Sequence, residues 1–455
     1  MAVSDDPRRD SDQPAMSEEA PRQGVVGRTP LYAVLSANAV SQVGDMMVAV
    51  ALPWFVLQTT GSVIQMGITG AAVALGTLLS SITGGPLVDR FGFRRASILS
   101  DVTAGAAVAA VPVLFWVGVL PFGLLLTLAL VISILNAPGD LARRALVPTL
   151  ARWAAMPLER ANAVDTAIPR LAQLVGPIIG GILVAAVGAA NVLLLDAVTF
   201  LVSAAAVAVA VPSHADTNTD AEGKGNTPGS RGRDQQVFAD SRFMRSPARQ
   251  YLSELRDGLR FVRTSGLLIS LIVIATVAGL LEKPLMSVVA PVYAQDNYGG
   301  AASFGAMLGA FGAGALSGTL AFSVVGHRLP RRLTFLTCML VAPLVMFGAL
   351  AATPPLPALL AALAVSGVIF GPMNSLFATA VQETTPTELL GRVIGTVSAF
   401  SMLGVPLGAT VAGLVVAQVG LIATLVGMGA IYLALAVAMV LNPALRAMDV
   451  RRTEA

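Results

Sequence analysis

Apolar stretches of about 20 residues, the length a helix needs to cross hydrocarbon, follow one another along nearly the whole chain. Few folds accept such a sequence. Inside a bilayer every backbone N–H and C=O must find its partner within the protein, which leaves helices and closed barrels. The windows are rich in Ala, Leu, Val and Gly rather than alternating with the two-residue period of a barrel strand, so helices are expected. Charged residues make up 12 % of the 455 positions, against about 25 % in a water-soluble domain. The expected fold is an all-α membrane protein with spans near 31–57, 63–88, 97–117, 122–142, 161–187, 190–212, 267–293, 302–325, 333–352, 356–380, 393–418 and 421–442.

The links between these spans are lopsided in charge. Thr59–Gln65, Gly118–Gly123, Gly188–Asn191, Gln295–Ala302, Ala352–Leu356 and Gly420–Ala423 contain no Lys or Arg. The links and tails on the other side hold 27 of the 29 basic residues, and the remaining two, Arg170 and Lys283, fall inside spans. Basic loops stay on the cytoplasmic side, so both termini are expected there, in a multi-pass protein of the cell (inner or cytoplasmic) membrane. Residues 1–30 are polar and offer no apolar core to a cleaved signal, which leaves the first span as its own insertion signal. The net charge of +3 reflects this loop bias and suggests no nucleic-acid partner.

Several classes of chemistry find no support. With one cysteine, Cys338, no intrachain disulfide can form, and a cysteine-based metal site is not expected. The chain has no G-x-x-x-x-G-K-[ST] loop for ATP, no H-E-x-x-H, no nucleophile elbow and no cysteine–histidine cluster. Neither an enzyme, a metal nor a cofactor is expected.

The middle of the chain divides it. Residues 213–247 are polar and rich in Gly, Ser and Asp, as in a disordered linker. In 248–263, Tyr251, Leu252, Leu255, Leu259 and Phe261 or Val262 form an apolar stripe flanked by basic residues, as in a helix lying on the membrane surface. The expected organisation is a tail at 1–30, a six-helix bundle at 31–212, a linker at 213–266, a second bundle at 267–442 and a tail at 443–455. Gly67, Gly76 and Arg94 recur 238 residues later as Gly305, Gly314 and Arg332, and Pro157, Glu159 and Pro177 recur 229 residues later as Pro386, Glu388 and Pro406. Such repeats suggest two pseudo-symmetric halves with a substrate path between them.

After the second span comes Gly84-Gly85-Pro-Leu-Val-Asp89-Arg90-Phe-Gly92-Phe93-Arg94-Arg95. It resembles the signature G-x-x-x-D-R-x-G-R-[RK] of the major facilitator superfamily, with Gly85, Asp89, Arg90, Gly92 and Arg94 matching and Phe93 standing where a basic residue is usual. Gly176-Pro177-Ile-Ile-Gly180-Gly181 in span 5 resembles the GP-x-x-GG core found in drug–proton antiporters, with Ala172 in place of an upstream glycine. Ser41-Gln-Val-Gly44-Asp45, Arg144-Ala-Leu-Val-Pro148, Asn162-Ala-Val-Asp165 and Leu390-Gly391-Arg392-Val393 are similar to stretches of macrolide and multidrug exporters, including actinobacterial tetracycline and aminoglycoside pumps. The resemblance covers about 31–445 and implies export of amphipathic small molecules, drugs or antibiotics, by proton antiport in a monomer. A dedicated exporter of one metabolite, an importer, and a transport-dead sensor or scaffold stay open.

Ionisable residues inside spans are costly and point to function. Asp45 lies near the middle of span 1 on the face of Asn38, Ser41 and Gln42, where a carboxylate can carry the coupling proton, meet a cationic substrate or bond a neighbouring helix. Glu282 and Lys283 sit near the middle of span 7 before Pro284. Lys283 would need a carboxylate, an anionic part of the substrate or a route to the interface. Arg170 in span 5 is either a counter-charge for Asp45 or Glu282 or a residue reaching down to the interface. Asp101, Asp140 and Asp165, near the cytoplasmic span ends, are expected to hold inner-gate arginines, whereas Asp196 in span 6 has no assigned role. Both histidines, His214 and His327, fall in cytoplasmic segments, so carboxylates must carry any protons across.

Overall fold

Among the described residues of the computed structural model, twelve helices are long and apolar enough to cross a membrane. The structure describes residues 28–212, Arg256 and residues 258–449. Of the expected segments, tail residues 1–27 and 450–455, the linker 213–247 and most of the surface helix at 248–257 lie outside the described residues. The helices are α1 (Thr29–Thr60), α2 (Val63–Phe91), α3 (Phe93–Trp116), α4 (Phe122–Trp153), α5 (Leu158–Val187) and α6 (Ala189–Ala210), then α7 (Gly266–Tyr298), α8 (Ala301–Arg328), α9 (Arg331–Ala352), α10 (Leu356–Thr384), α11 (Thr387–Val419) and α12 (Leu421–Leu441).

Local chemistry sets the helix ends. The Ser62 hydroxyl caps α2 by accepting from the Gln65 amide at 3.3 Å, and Ser265 caps α7 through the Leu268 amide at 3.4 Å, each satisfying an orphan donor. Proline occupies the N-cap of α5 and of α11, at Pro157 and Pro386. Single glycines, Gly188 and Gly420, join α5 to α6 and α11 to α12 at φ +87° and +89°, a conformation that a side chain would oppose. Within α7 the helix widens into a π-turn over Leu285–Val289, directly after Pro284.

Such short links make successive helices antiparallel, so the segments bearing Arg28, Val211 and Asp449 share one face of the bundle, called here the terminal face. The packing repeats between the halves. In the first, α1 packs on α5 and α6, α2 on α4, and α3 on α4 and α6; in the second, α7 packs on α11, α8 on α10, and α9 on α10 and α12. The close α1–α6 packing has a much slighter counterpart between α7 and α12.

The halves meet where α2 crosses α11 and α5 crosses α8. A Cβ on Gly67 would lie 3.2 Å from Gly413 Cα, and one on Gly181 would lie 2.9 Å from Gly305 Cα. Both crossings depend on bare backbone, and both lie near the face opposite the termini. There one apolar core, including Trp54, Phe55, Phe200, Tyr293, Phe304 and Leu425, spans both halves. Toward the terminal face it gives way to separate cores, one around Leu31, Leu146 and Val207 and another around Leu268, Phe335 and Val393. A Cβ on Gly85, Gly391 or Gly395, all on that side, would meet nothing within 4 Å. The molecule is therefore closed at the opposite face and open at the terminal face.

Three boundaries differ from the sequence reading in ways that matter. Helix α4 continues eleven residues past the expected end, so Arg144–Pro148 lies within it and not after it. The pair Asp89–Arg90 belongs to the last turn of α2, with Gly92 as the whole link to α3. Leu390–Val393 lies inside α11, which starts at Thr387. The reason is common to all three: polar residues near a headgroup region do not end a helix unless glycine or proline does.

Candidate functional site

The polar residues of the first half form a ladder along α1. Asn38, Gln42 and Asp45 share one face and span about 10 Å of helix at 1.5 Å per residue. Each meets a different residue across the gap. The Asn38 amide donates to Asp165 Oδ1 of α5 at 3.2 Å. The Gln42 amide donates to Asp140 Oδ2 of α4 at 3.0 Å. Asp45 accepts from the Asn136 amide of α4 at 2.8 Å. Asn38 and Gln42 are buried, whereas Asp45 is half-buried.

The ladder rests on a cation that the sequence reading placed in a loop. Arg143 is fully buried within α4. It donates to both oxygens of Asp101 on α3, at 2.5 and 2.7 Å, and forms a second, short ion pair with Asp140 one turn earlier on its own helix. Its two terminal nitrogens also approach Ser203 of α6 and Ser41 of α1, each at 3.4 Å. Ser203 in turn donates to Asp101 Oδ2 at 2.6 Å. The assignment of Arg143 to a basic loop is thus corrected. A signal was available, because Leu141, Ala142, Ala145, Leu146 and Val147 continue the apolar pattern beyond Pro138 and Gly139, which α4 carries within it rather than ending there. Asn136 was missed as well, since a neutral amide inside a span raises no alarm by charge.

The remaining charges are dispersed. Arg170 is exposed on α5 and makes no ion pair among the described residues; Asp45 is met by an amide and not by this arginine. On α7, Glu282 is half-buried and Lys283 is exposed, and no ion pair reaches either among the described residues. Asp196 is buried on α6, against Gly44. No cluster of metal-ligating side chains occurs among the described residues. A separate cavity of about 770 Å³ opens at the terminal-face ends of α8 and α10, lined by Thr319, Phe322, His327, Arg331, Ser375 and Thr379, away from the ladder.

Comparison with known proteins fits this arrangement. The sequence model of the Major Facilitator Superfamily matches residues 34–300, and that of a transmembrane secretion effector family matches 238–455. The multidrug efflux pump Tap of Mycobacterium tuberculosis is 32 % identical over 428 residues, covering 93 % of this chain and 95 % of the pump. The pump of the same name from Mycolicibacterium fortuitum is 32 % identical over 425 residues, covering 93 % and 98 %. The chain belongs to the major facilitator superfamily. Solved superfamily folds superpose on it at low identity. The nucleoside transporter NupG gives a TM-score of 0.66 at 12 % identity, covering 93 % of this chain and 100 % of NupG. A bacterial homologue of the lysosomal transporter Spinster, solved inward-facing and unoccupied, gives 0.66 at 14 %, covering 95 % and 100 %.

The superfamily signature sits at the terminal face, where the halves stand apart. Asp89 is exposed there, and Arg90 lies over the ring of its neighbour Phe91, 5.9 Å from its centroid. Arg94 ties the loop to the end of α6 by donating to the carbonyls of Val211 at 2.6 Å and Ala208 at 2.7 Å. The bare Cα of Gly92 makes the one-residue turn between α2 and α3 possible at φ +79°. The antiporter-like stretch lies at the other end, in the closed region. A Cβ on Gly180 would lie 2.9 Å from Met47 Cα of α1, and one on Gly181 would lie 2.6 Å from the Ala301 carbonyl of α8. Gly176 faces Met46 of α1, and the Pro177 carbonyl faces Gly305. Gly176, Pro177, Gly180 and Gly181 thus clamp α5 between its own half and the other.

Proposed function

We propose that this protein exports amphipathic small molecules, drugs among them, by alternating access in exchange for protons. In this reading it works as a monomer in the cell membrane with both termini in the cytoplasm, so that the terminal face is the cytoplasmic one and the conformation described above is inward-open. The basic residues of the terminal-face links support that orientation. The likeness to Tap supports drug efflux, and the presence of both halves of the path in one chain supports a monomer.

The coupling is carried by one observation. Asp45 lies at mid-depth, half-buried and held by a neutral amide instead of a cation. A carboxylate so placed can take a proton without first breaking an ion pair, and release it when the halves rearrange. Asn38 and Gln42 extend the same face toward the cytoplasm, bonded to Asp165 and Asp140. Lys283 and Arg170, both exposed, are available to anionic groups of a substrate, and Glu282 to cationic ones.

Asp45→Asn keeps the shape and the hydrogen-bonding capacity but removes titration. Proteoliposomes carrying this variant are expected to lose uphill drug transport driven by a pH gradient, at normal expression and with downhill drug exchange retained. Drug-dependent proton movement at the wild-type rate in Asp45→Asn would remove Asp45 from the coupling.

A further inference from the structure

On α6, Asp196 is 1 % exposed. One turn on, the Thr199 hydroxyl lies 2.8 Å from the Asp196 main-chain carbonyl and 3.1 Å from its Oδ1. A threonine hydroxyl has a single hydrogen and two acceptor sites. If that hydrogen serves the carbonyl, the shorter contact, then Oδ1 receives none from Thr199. No Lys or Arg pairs with Asp196 among the described residues. The contact at 3.1 Å is satisfied when Asp196 carries its own proton and donates it to Thr199 Oγ1.

The neighbouring helix is shaped around this carboxyl. A methyl group on Gly44 would lie 2.6 Å from Thr199 Oγ1 and 3.3 Å from Asp196 Cγ, so the bare Cα of Gly44 is the seat of the acid. The next residue is Asp45, whose oxygen accepts from the Asn136 amide, an arrangement suited to the ionised form. Two carboxyls therefore lie in adjoining sectors around α1, Asp45 on that helix facing a donor and Asp196 on α6 seated against the bare Gly44, and such a contrast separates acid from base. The other charged groups on the helices packed here are Arg94, Arg95 and Asp101 of α3, Asp140, Arg143, Arg144 and Arg152 of α4, and Glu159, Arg160, Asp165 and Arg170 of α5. Arg143 is committed to Asp101 and Asp140 and leaves the pair without a cation of its own.

We propose that Asp196 is a second proton-binding site, set beside Asp45 across Gly44, so that each transport cycle carries one proton on each carboxyl and uphill transport needs both. This rests on the proton-antiport reading above.

The first test is an infrared spectrum of the purified protein near neutral pH, which needs no substrate. Wild type is expected to show a protonated-carboxyl band that Asp196→Asn removes and Thr199→Val shifts, because Val offers no acceptor. A band unchanged in both variants overturns the protonated Asp196, and Thr199→Val decides the matter if Asp196→Asn does not fold. The second test is the charge displaced by a pH jump on supported membranes. Asp196→Asn and Asp45→Asn are each expected to halve it, and the double variant to abolish it. Full displacement in Asp196→Asn with a reduced one in Asp45→Asn overturns the second site and leaves antiport standing. Full displacement in both removes Asp45 from the coupling as well. Complete loss in Asp196→Asn alone overturns two separate sites in favour of one shared proton.

Discussion

Arg143 is the residue on which the first half turns. It is fully buried, yet it reaches polar groups on α1, α3 and α6 from its place on α4. Its two aspartates come from different helices, so the charge fixes how α3 sits on α4 in addition to neutralising itself. A buried ion pair adds little net stability when formed, because both charges lose water, but removing one partner strands the other. Arg143→Met is accordingly expected to cost about 3–5 kcal/mol, seen as a lower midpoint in thermal unfolding followed by tryptophan fluorescence. Arg143→Lys keeps the charge but loses the fork that holds two carboxylates, so an intermediate midpoint is expected. An Arg143→Met midpoint equal to wild type would show that water already reaches the cluster.

Helices meet across the two halves through backbone rather than through large side chains. The crossing of α2 with α11 at Gly67 and Gly413 repeats that of α8 with α5 at Gly305 and Gly181. From Gly67 to Gly305 the repeat is 238 residues, and from Gly181 to Gly413 it is 232. The link glycines Gly188 and Gly420 share the latter spacing, whereas the N-cap prolines Pro157 and Pro386 are 229 apart. Helix α11 is thus three residues longer than α5 between cap and crossing, and the proline and glycine landmarks fall out of phase. Because nothing but backbone separates the helices, Gly305→Leu is expected to oppose closure of the face opposite the termini by about 1–3 kcal/mol, the usual cost of overpacking. Transport should fall, and spin-label distances across that face should lengthen. Gly348→Leu on α9 is the matched control, since a Cβ there meets nothing within 4 Å. Equal distances in Gly305→Leu and wild type would mean that the crossing relaxes without opening.

At the scale of the molecule, one apolar core joins the halves at the face opposite the termini, and separate cores lie beneath the open terminal face. Alternating access requires the converse arrangement to be reachable, with the signature at the end of α2 then brought against the second half. Asp89 is exposed in the present conformation. Its replacement should therefore leave this conformation intact and weaken the other. Asp89→Asn is expected to slow transport severalfold, with drug affinity nearly unchanged and the population shifted further toward the conformation open at the terminal face. Distances between spin labels at the terminal-face ends of α2 and α11 measure that population, and identical distributions in variant and wild type would take Asp89 out of the gate.

Hydrophobicity along the chain was enough to place the twelve spans, because partition into lipid is summed over one helix at a time and needs no knowledge of neighbours. The same holds for the depth of Asp45, which follows from counting residues at a fixed rise. What the sequence left open depends on which faces of separate helices meet. Arg143 looks like a loop cation until α4 is seen to continue with Asp101 beside it. Asn136 is silent until it faces Asp45. Gly44 reads as one more small residue until the carboxyl of Asp196 is found against it. In each case the deciding energy is a contact between helices far apart in sequence, set by their rotation and crossing, and only the tertiary structure fixes those.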